Sequence, residues 1–183
     1  MWRMTWYSSW MPLPPCMSRA VRAMASYVDR PIIFPLSNPT SRSEATPTSV
    51  VEWTDGRALI GTGSPFAPVP WKGRSLPINQ TNNSYIFPGV GLAVLAVNAR
   101  RVTDNMFMAA GKALAELSPA LHDKHARLLP PVDQLRAVSV SVALATARQA
   151  QIDGVAEHCD DAELLPRIKA QVWQPVYRPY SST

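Results

Sequence analysis

The sequence predicts an α/β protein: parallel strands with helices, followed by a carboxy-terminal helical segment. Three observations carry this reading. The short apolar runs Ile32–Phe34 and Ala58–Ile60 show no alternation of polar and apolar residues, as expected of strands covered on both faces. Helical patterns precede each run, giving helix, strand, helix, strand in about 45 residues, a spacing that suits crossover connections rather than hairpins. From Val90 onward the apolar spacing turns helical almost to the end.

Residues 1–17, MWRMTWYSSWMPLPPCM, are unlike the rest. Trp2, Trp6 and Trp10 recur at a spacing of four, which would align them on one helical face, as in an interfacial anchor. Pro12, Pro14 and Pro15 argue against that helix, so a poorly structured or misassigned start is expected. Ordinary sequence begins at Met17 or Ser18. SRAVRAMASYV has helical spacing with Ser18 as N-cap. Ile32–Phe34 reads as a buried strand ending near Leu36, with the turn formers Ser37, Asn38, Pro39 and Thr40 directly after it. Thr46 and Pro47 are a cap and first position for a short helix to about Trp53, stopped at Asp55-Gly56.

The second strand, Ala58–Ile60, closes in Gly61-Thr62-Gly63-Ser64-Pro65. A proline-rich loop is expected from Pro65 to Thr81. A helix buried on most sides is expected over Val90–Ala99. Thr103 should cap the next helix through about Leu117, with Ser118-Pro119 as its stop. Asp133–Ile152 supplies a further helix, with Gly154 ending it. The tail VWQPVYRPY reads as an extended arm.

Composition excludes several classes. The 183 residues are 46% hydrophobic and 17% charged, too apolar and too weakly charged for a disordered tail. No run of 18 apolar residues suggests a membrane span. The net charge of +5 is spread without a basic stripe: residues 101–183 balance nine bases against nine acids. A nucleic-acid partner is therefore not expected. Cys16 and Cys159 form no CxxC pair, and a reducing compartment is the simpler reading. His122 and His125 lie in the polar stretch HDKHAR, a solvated loop rather than a metal face.

The candidates for chemistry are few. Gly61-x-Gly63 follows a predicted strand, but Phe66 and Pro65 spoil a dinucleotide fingerprint. A glycine pair admitting a ligand or another strand is the better reading. Asn38 lies at the carboxyl end of a predicted parallel strand, where open α/β sheets place ligands. Asn82 and Asn83 precede a helix. An amide both donates and accepts, so it holds a carboxamide, hydroxyl or carboxylate without a charge cost. Each asparagine equally suits a plain turn or cap.

The blocks SNPTSRSEAT (37–46), TGSPFAPV (62–69), NNSYIFPG (82–89) and LLPPVDQLRAVSVSVA (128–143) resemble the carboxy-terminal part of malic enzymes, most closely the bacterial NAD-dependent, oxaloacetate-decarboxylating type. The likeness runs from about Ser18 to Ser181. It implies the distal part of a Rossmann-like NAD-binding domain over 18–102 and carboxy-terminal helices and tail over 103–183. It also implies oxidative decarboxylation of malate to pyruvate and carbon dioxide with NAD reduction, aided by Mg or Mn. Asn38 corresponds to an asparagine beside nicotinamide and substrate, Gly63 and Ser64 to a turn lining the cofactor cleft, and Asn82 and Asn83 to a pair that reaches malate and cofactor.

One departure is local: where the bacterial enzymes usually read AQCNN, this chain reads Asn79-Gln80-Thr81-Asn82-Asn83. The larger one is that the family's proton-donating tyrosine, base lysine, metal-binding carboxylates and glycine-rich loop match nothing here. The chain thus reads as a carboxy-terminal fragment, inactive alone, with no catalytic or metal-binding residues of its own. The alternative is a non-catalytic NAD-side binding or assembly module. The resemblance further implies a cytoplasmic location and a family-like homo-oligomer.

Overall fold

The apolar runs at Ile32 and Leu59 lie side by side. In the computed structural model, which describes residues 14–123 and 126–174, β1 (Ile32–Ile33) pairs in parallel with β2 (Leu59–Thr62), Ile32 opposite Leu59 and Ile33 opposite Ile60. The pairing outruns the strand ends, since Leu59 N donates to Pro31 O (2.9 Å) and Gly63 N to Pro35 O (3.3 Å). All four residues of β2 are buried, as an unalternating apolar run requires of a central strand.

The segment expected to be a proline-rich loop instead holds three short strands. β3 (Val69–Trp71) and β4 (Arg74–Leu76) form an antiparallel hairpin, and β5 (Asn79–Gln80) returns to the second edge of β2, also parallel. The hairpin turns at Lys72 and Gly73, both at positive φ (46° and 76°), the backbone that two-residue hairpin loops need. Pro70 is compatible with a strand because a two-stranded ribbon has an outer edge where a missing N–H costs nothing. The main sheet therefore runs β1-β2-β5.

Two helices belong with these strands, α1 (Pro14–Tyr27) and α2 (Pro47–Trp53). Val21, Val50, Val51, Ile33, Ile60 and Ile78 form the core of this layer. α2 begins as its sequence predicts, with the Thr46 hydroxyl accepting from Ser49 N at 3.2 Å. α1 begins four residues before the expected cap at Ser18. Proline is tolerated in a helix's first turn, where N–H groups have no helical partner. Trp2, Trp6 and Trp10 lie outside the described residues. The carbonyls at the end of α1 are capped from a distance: the Arg57 guanidinium donates to Ala25 O (2.9 Å) and Asp29 O (2.7 Å).

The chain divides into two units, one running to Asn82 and taking in Ser118–Pro130, the other comprising Asn83–Leu117 and the chain from Pro131 on. In the first unit the added segment is held by Asn79, which is buried. Its Nδ2 donates to Ile60 O (3.0 Å), while its Oδ1 accepts from Leu128 N (2.9 Å) and Leu129 N (3.2 Å). Ser118 Oγ closes the same segment by donating to Leu128 O at 2.6 Å.

The second unit is helical: α3 (Phe87–Ala96), α4 (Asp104–Glu116), α5 (Leu135–Ile152) and α6 (Asp161–Gln171). α3 starts three residues ahead of the expected Val90, with Pro88 in its first turn. It is also less enclosed than its composition suggests. Gly89, Val90, Ala93 and Ala96 are buried while Phe87 and Leu95 stay exposed, because the helices of this unit cover one face of it. α3 approaches α5 closely. A Cβ on Gly89 would lie 2.6 Å from Val142 Cγ1 and 2.9 Å from Ser139 O.

α6, which no sequence signal announced, buries Leu164 and Ile168 one turn apart; Pro166 between them obscures the pattern. Gly154 ends α5's turn at φ 66°, as expected. The tail beyond Gln174 lies outside the described residues.

Thr103 caps α4, accepting from Met106 N at 3.2 Å, and its hydroxyl donates to the Asp153 carboxylate beyond the end of α5. Gln149 (2.8 Å) and Asn105 (3.2 Å) donate to the other oxygen. These donors, Thr103 first and Gln149 next, hold the Asp153 pKa below the ordinary aspartate value.

Two outcomes are expected. Asn79→Ala strands the amides of Leu128 and Leu129, so chemical denaturation should register a loss of about 1–3 kcal/mol. Asp153 has a depressed folded pKa, so its contribution is present above the unfolded value of about 3.9 and is lost as pH falls through the folded value. Melting temperature measured against pH should fall in that acid range, and Asp153→Asn should flatten that part of the profile.

Candidate functional site

Three of the residues singled out from sequence meet at the carboxyl edge of β1 and β2. Asn38 follows β1 and is exposed; Ser64 follows β2 and is half-buried. The Ser64 hydroxyl donates to Asn38 Oδ1. Gly63 makes this approach geometrically allowed. A Cβ there would stand 2.2 Å from Leu36 O and 3.1 Å from Asn38 Nδ2, so any side chain would force the two loops apart.

Hydrogen bonds tie both loops to the sheet and to themselves. Thr62, fully buried, donates from Oγ1 to Ser64 O at 2.8 Å and so fixes the Ser64 backbone. On the β1 side, Ser37 donates from its amide (3.2 Å) and its hydroxyl (2.7 Å) to the Glu44 carboxylate, closing the loop that carries Asn38. The peptide bond from Asn38 to Pro39 is cis. Neither Thr62 nor Glu44 was singled out from sequence. Thr62 reads there as strand, and a seven-residue separation inside an irregular loop carries no recognisable spacing for Ser37 and Glu44.

Asn82 and Asn83 are both exposed, and they fall in different units: Asn82 ends the first and Asn83 opens the second. Asn83 begins a single 3-10 turn, Asn83–Tyr85, before α3, its carbonyl accepting from Ile86 N at 3.0 Å. The expectation that the pair directly precedes a helix holds.

Elsewhere in the first unit a cleft of about 480 Å³ opens at the amino ends of the strands, lined by Arg30, Arg57, Trp71 and Lys72 among others. It lies at the opposite end of the sheet from Asn38 and Ser64. Two of its cations are already engaged, Arg57 on the α1 carbonyls and Lys72 on Asp55 at 2.8 Å.

Among the described residues no group of three or more His, Cys, Asp or Glu converges as for a metal ion. His122 and His158 are exposed, and Cys16 and Cys159 are free thiols. No helix of the described residues is long and apolar enough to cross a membrane. Around Asn38 the groups are an amide, hydroxyls, backbone and the Glu44 carboxylate that Ser37 engages.

The family model described as "Malic enzyme, NAD binding domain" matches residues 16–151. The chain belongs to the malic enzyme family. It is 53% identical over 163 residues to the NAD-dependent malic enzyme of Vibrio campbellii, covering 89% of this chain and 29% of that relative. The enzyme of the same name from Acinetobacter baylyi is 52% identical over 160 residues, covering 87% and 28%.

Among solved structures, the malic enzyme of Entamoeba histolytica superimposes with a TM-score of 0.66 at 30% identity, over 84% of this chain and 29% of that one. The malic enzyme of Pyrococcus horikoshii gives 0.56 at 28%, over 76% and 28%. The chain thus spans under a third of the length of the relatives it matches.

Thr81 has a physical signature of its own: its buried Oγ1 has no hydrogen-bond partner and is wedged where a Cβ on Gly61 would come within 2.5 Å. A buried hydroxyl left without a partner carries a desolvation cost. Thr81→Val removes the orphaned hydroxyl at nearly constant shape. The variant should gain up to about 1–3 kcal/mol of stability, read as a higher melting temperature.

Proposed function

We propose that this chain forms the cofactor- and substrate-facing carboxyl edge of an NAD-dependent malic enzyme, the enzyme that converts malate to pyruvate and carbon dioxide. The observation that carries this reading is the meeting of Asn38, Gly63 and Ser64 at the carboxyl ends of two adjacent parallel strands. That is the edge at which open α/β sheets bind ligands. The family membership gives the ligands their chemical class.

In this reading Asn38, Gly63 and Ser64 hold the nicotinamide side of the cofactor, and Asn38 and Asn82 of the first unit reach malate. The donor set fits: Asn38 Nδ2 has no protein acceptor among the described residues, and Gly63 lets backbone approach closely. NAD, when bound, takes up the hydride. The side chains here orient the reactants by neutral hydrogen bonds, which cost less to desolvate than charges. Mg or Mn is a different matter. The described residues present no converging ligand set, so the residues here do not fit the ion, and no step is derived through it. A cytoplasmic location and a homo-oligomeric complete enzyme follow from the same family reading.

The expected behaviour of the isolated chain is binding without turnover. NAD titrated into the 15N-labelled chain should shift resonances of residues 36–39 and 62–66, with affinity in the millimolar range, since one edge of a cleft supplies few contacts. The same chain with NAD, malate and Mn should give no NADH above the blank, because the family's proton-donating tyrosine, base lysine and metal-binding carboxylates match nothing in its sequence. Malate-dependent NADH would overturn the inactivity, and silent resonances in both loops would overturn the ligand edge.

A further inference from the structure

We propose that Ser64 is a positioning residue: its hydroxyl sets the Asn38 side-chain amide so that the NH2 group, and not the oxygen, faces the ligand. The inference rests on the reading of the carboxyl edge as the ligand side. Ser64 Oγ donates to Asn38 Oδ1, which occupies the acceptor end of the amide. The Nδ2 end keeps its hydrogens for a ligand, because among the described residues it has no protein acceptor. Thr62 holds the Ser64 backbone from beneath through Oγ1 to Ser64 O at 2.8 Å. Gly63 supplies the clearance, since a Cβ there would crowd Asn38 Nδ2 at 3.1 Å.

The orientation selects a chemistry. An exposed NH2 pairs with an acceptor, such as a carboxylate oxygen of a hydroxy acid or the carboxamide oxygen of a nicotinamide, and turns away groups that only donate. Without the Ser64 hydroxyl the amide would present either end, and half its orientations would be unproductive.

The test uses the 183-residue chain labelled with 15N. When an amide oxygen accepts a hydrogen bond, resonance strengthens the C–N double-bond character and rotation of the NH2 group slows. The Asn38 NH2 should rotate slowly in the parent chain and in Ser64→Thr, and faster in Ser64→Ala. Equal rates in all three would overturn the proposal. Titrations with NAD alone and with malate alone then distinguish the acceptor.

Whichever ligand shifts Asn38 should bind about tenfold more weakly to Ser64→Ala, the worth of one hydrogen bond, and recover in Ser64→Thr. Asn38→Asp guards against a folding defect: a carboxylate still accepts from Ser64 but cannot donate, so the fold should persist while binding is lost. Undiminished binding by Asn38→Asp would sink the donor role. If neither ligand moves any resonance of residues 36–39 or 62–66, the ligand edge itself fails, and the rotation rates alone decide whether Ser64 holds Asn38.

Discussion

The buried amide of Asn79 is the interaction on which the first unit most depends. β5 is two residues long and meets β2 at two positions, Gly61 opposite Asn79 and Thr62 opposite Gln80. So short a strand has little pairing of its own. The Asn79 side chain adds a bond back across to Ile60 O and, from its oxygen, receives the amides of Leu128 and Leu129. One side chain therefore joins the sheet edge to a segment some fifty residues later in the chain. Being neutral and hydrogen-bonded at both its oxygen and its nitrogen, it is buried without the desolvation cost of a charge.

The candidate site inherits its order from that sheet. Parallel pairing brings the ends of β1 and β2 level, so the loops beginning at Phe34 and Gly63 emerge side by side. Thr62 links the two levels: its main chain is paired with Thr81 N (2.8 Å) on one side, and its hydroxyl reaches Ser64 O. Small residues do the steric work. Gly61 admits Thr81 and Phe34, and Gly63 admits Leu36 O and Asn38. What results is a surface of neutral hydrogen-bonding groups, with directional preference set by which group is already occupied.

The helical unit follows the same economy of size. Gly89, Ala93 and Ala96 on α3 and Ala143, Ala147 and Ala150 on α5 are buried small residues, and Gly89 alone spares a clash with Val142. Close helix approach increases dispersion contact where little side-chain area is available. The polar tie at Asp153 joins the start of α4 to the end of α5, placing a carboxylate at α4's amino terminus where the helix dipole favours it.

Much of this was legible in the sequence wherever the controlling interaction is local. The Thr46-Pro47 and Thr103 caps, the buried parallel strands, the end of α5 at Gly154 and the glycine approach at Gly63 all depend on a few neighbouring residues. The blocks SNPTSRSEAT, TGSPFAPV and NNSYIFPG were enough to recognise the family.

Other features escaped because their partners are distant in the chain. The β3–β4 hairpin and β5 were hidden by prolines whose tolerance depends on which strand edge faces outward. α6 is defined by burial of Leu164 and Ile168 against other helices, not by its own pattern. Arg57 on the end of α1, Glu44 on Ser37, and Asn79 on Leu128 are contacts that no spacing encodes. The sequence by itself determined the local conformations and which residue types stand at the strand ends. Only the tertiary structure decided that Ser64 meets Asn38, because that bond spans 26 residues and exists only once two separate strands have paired.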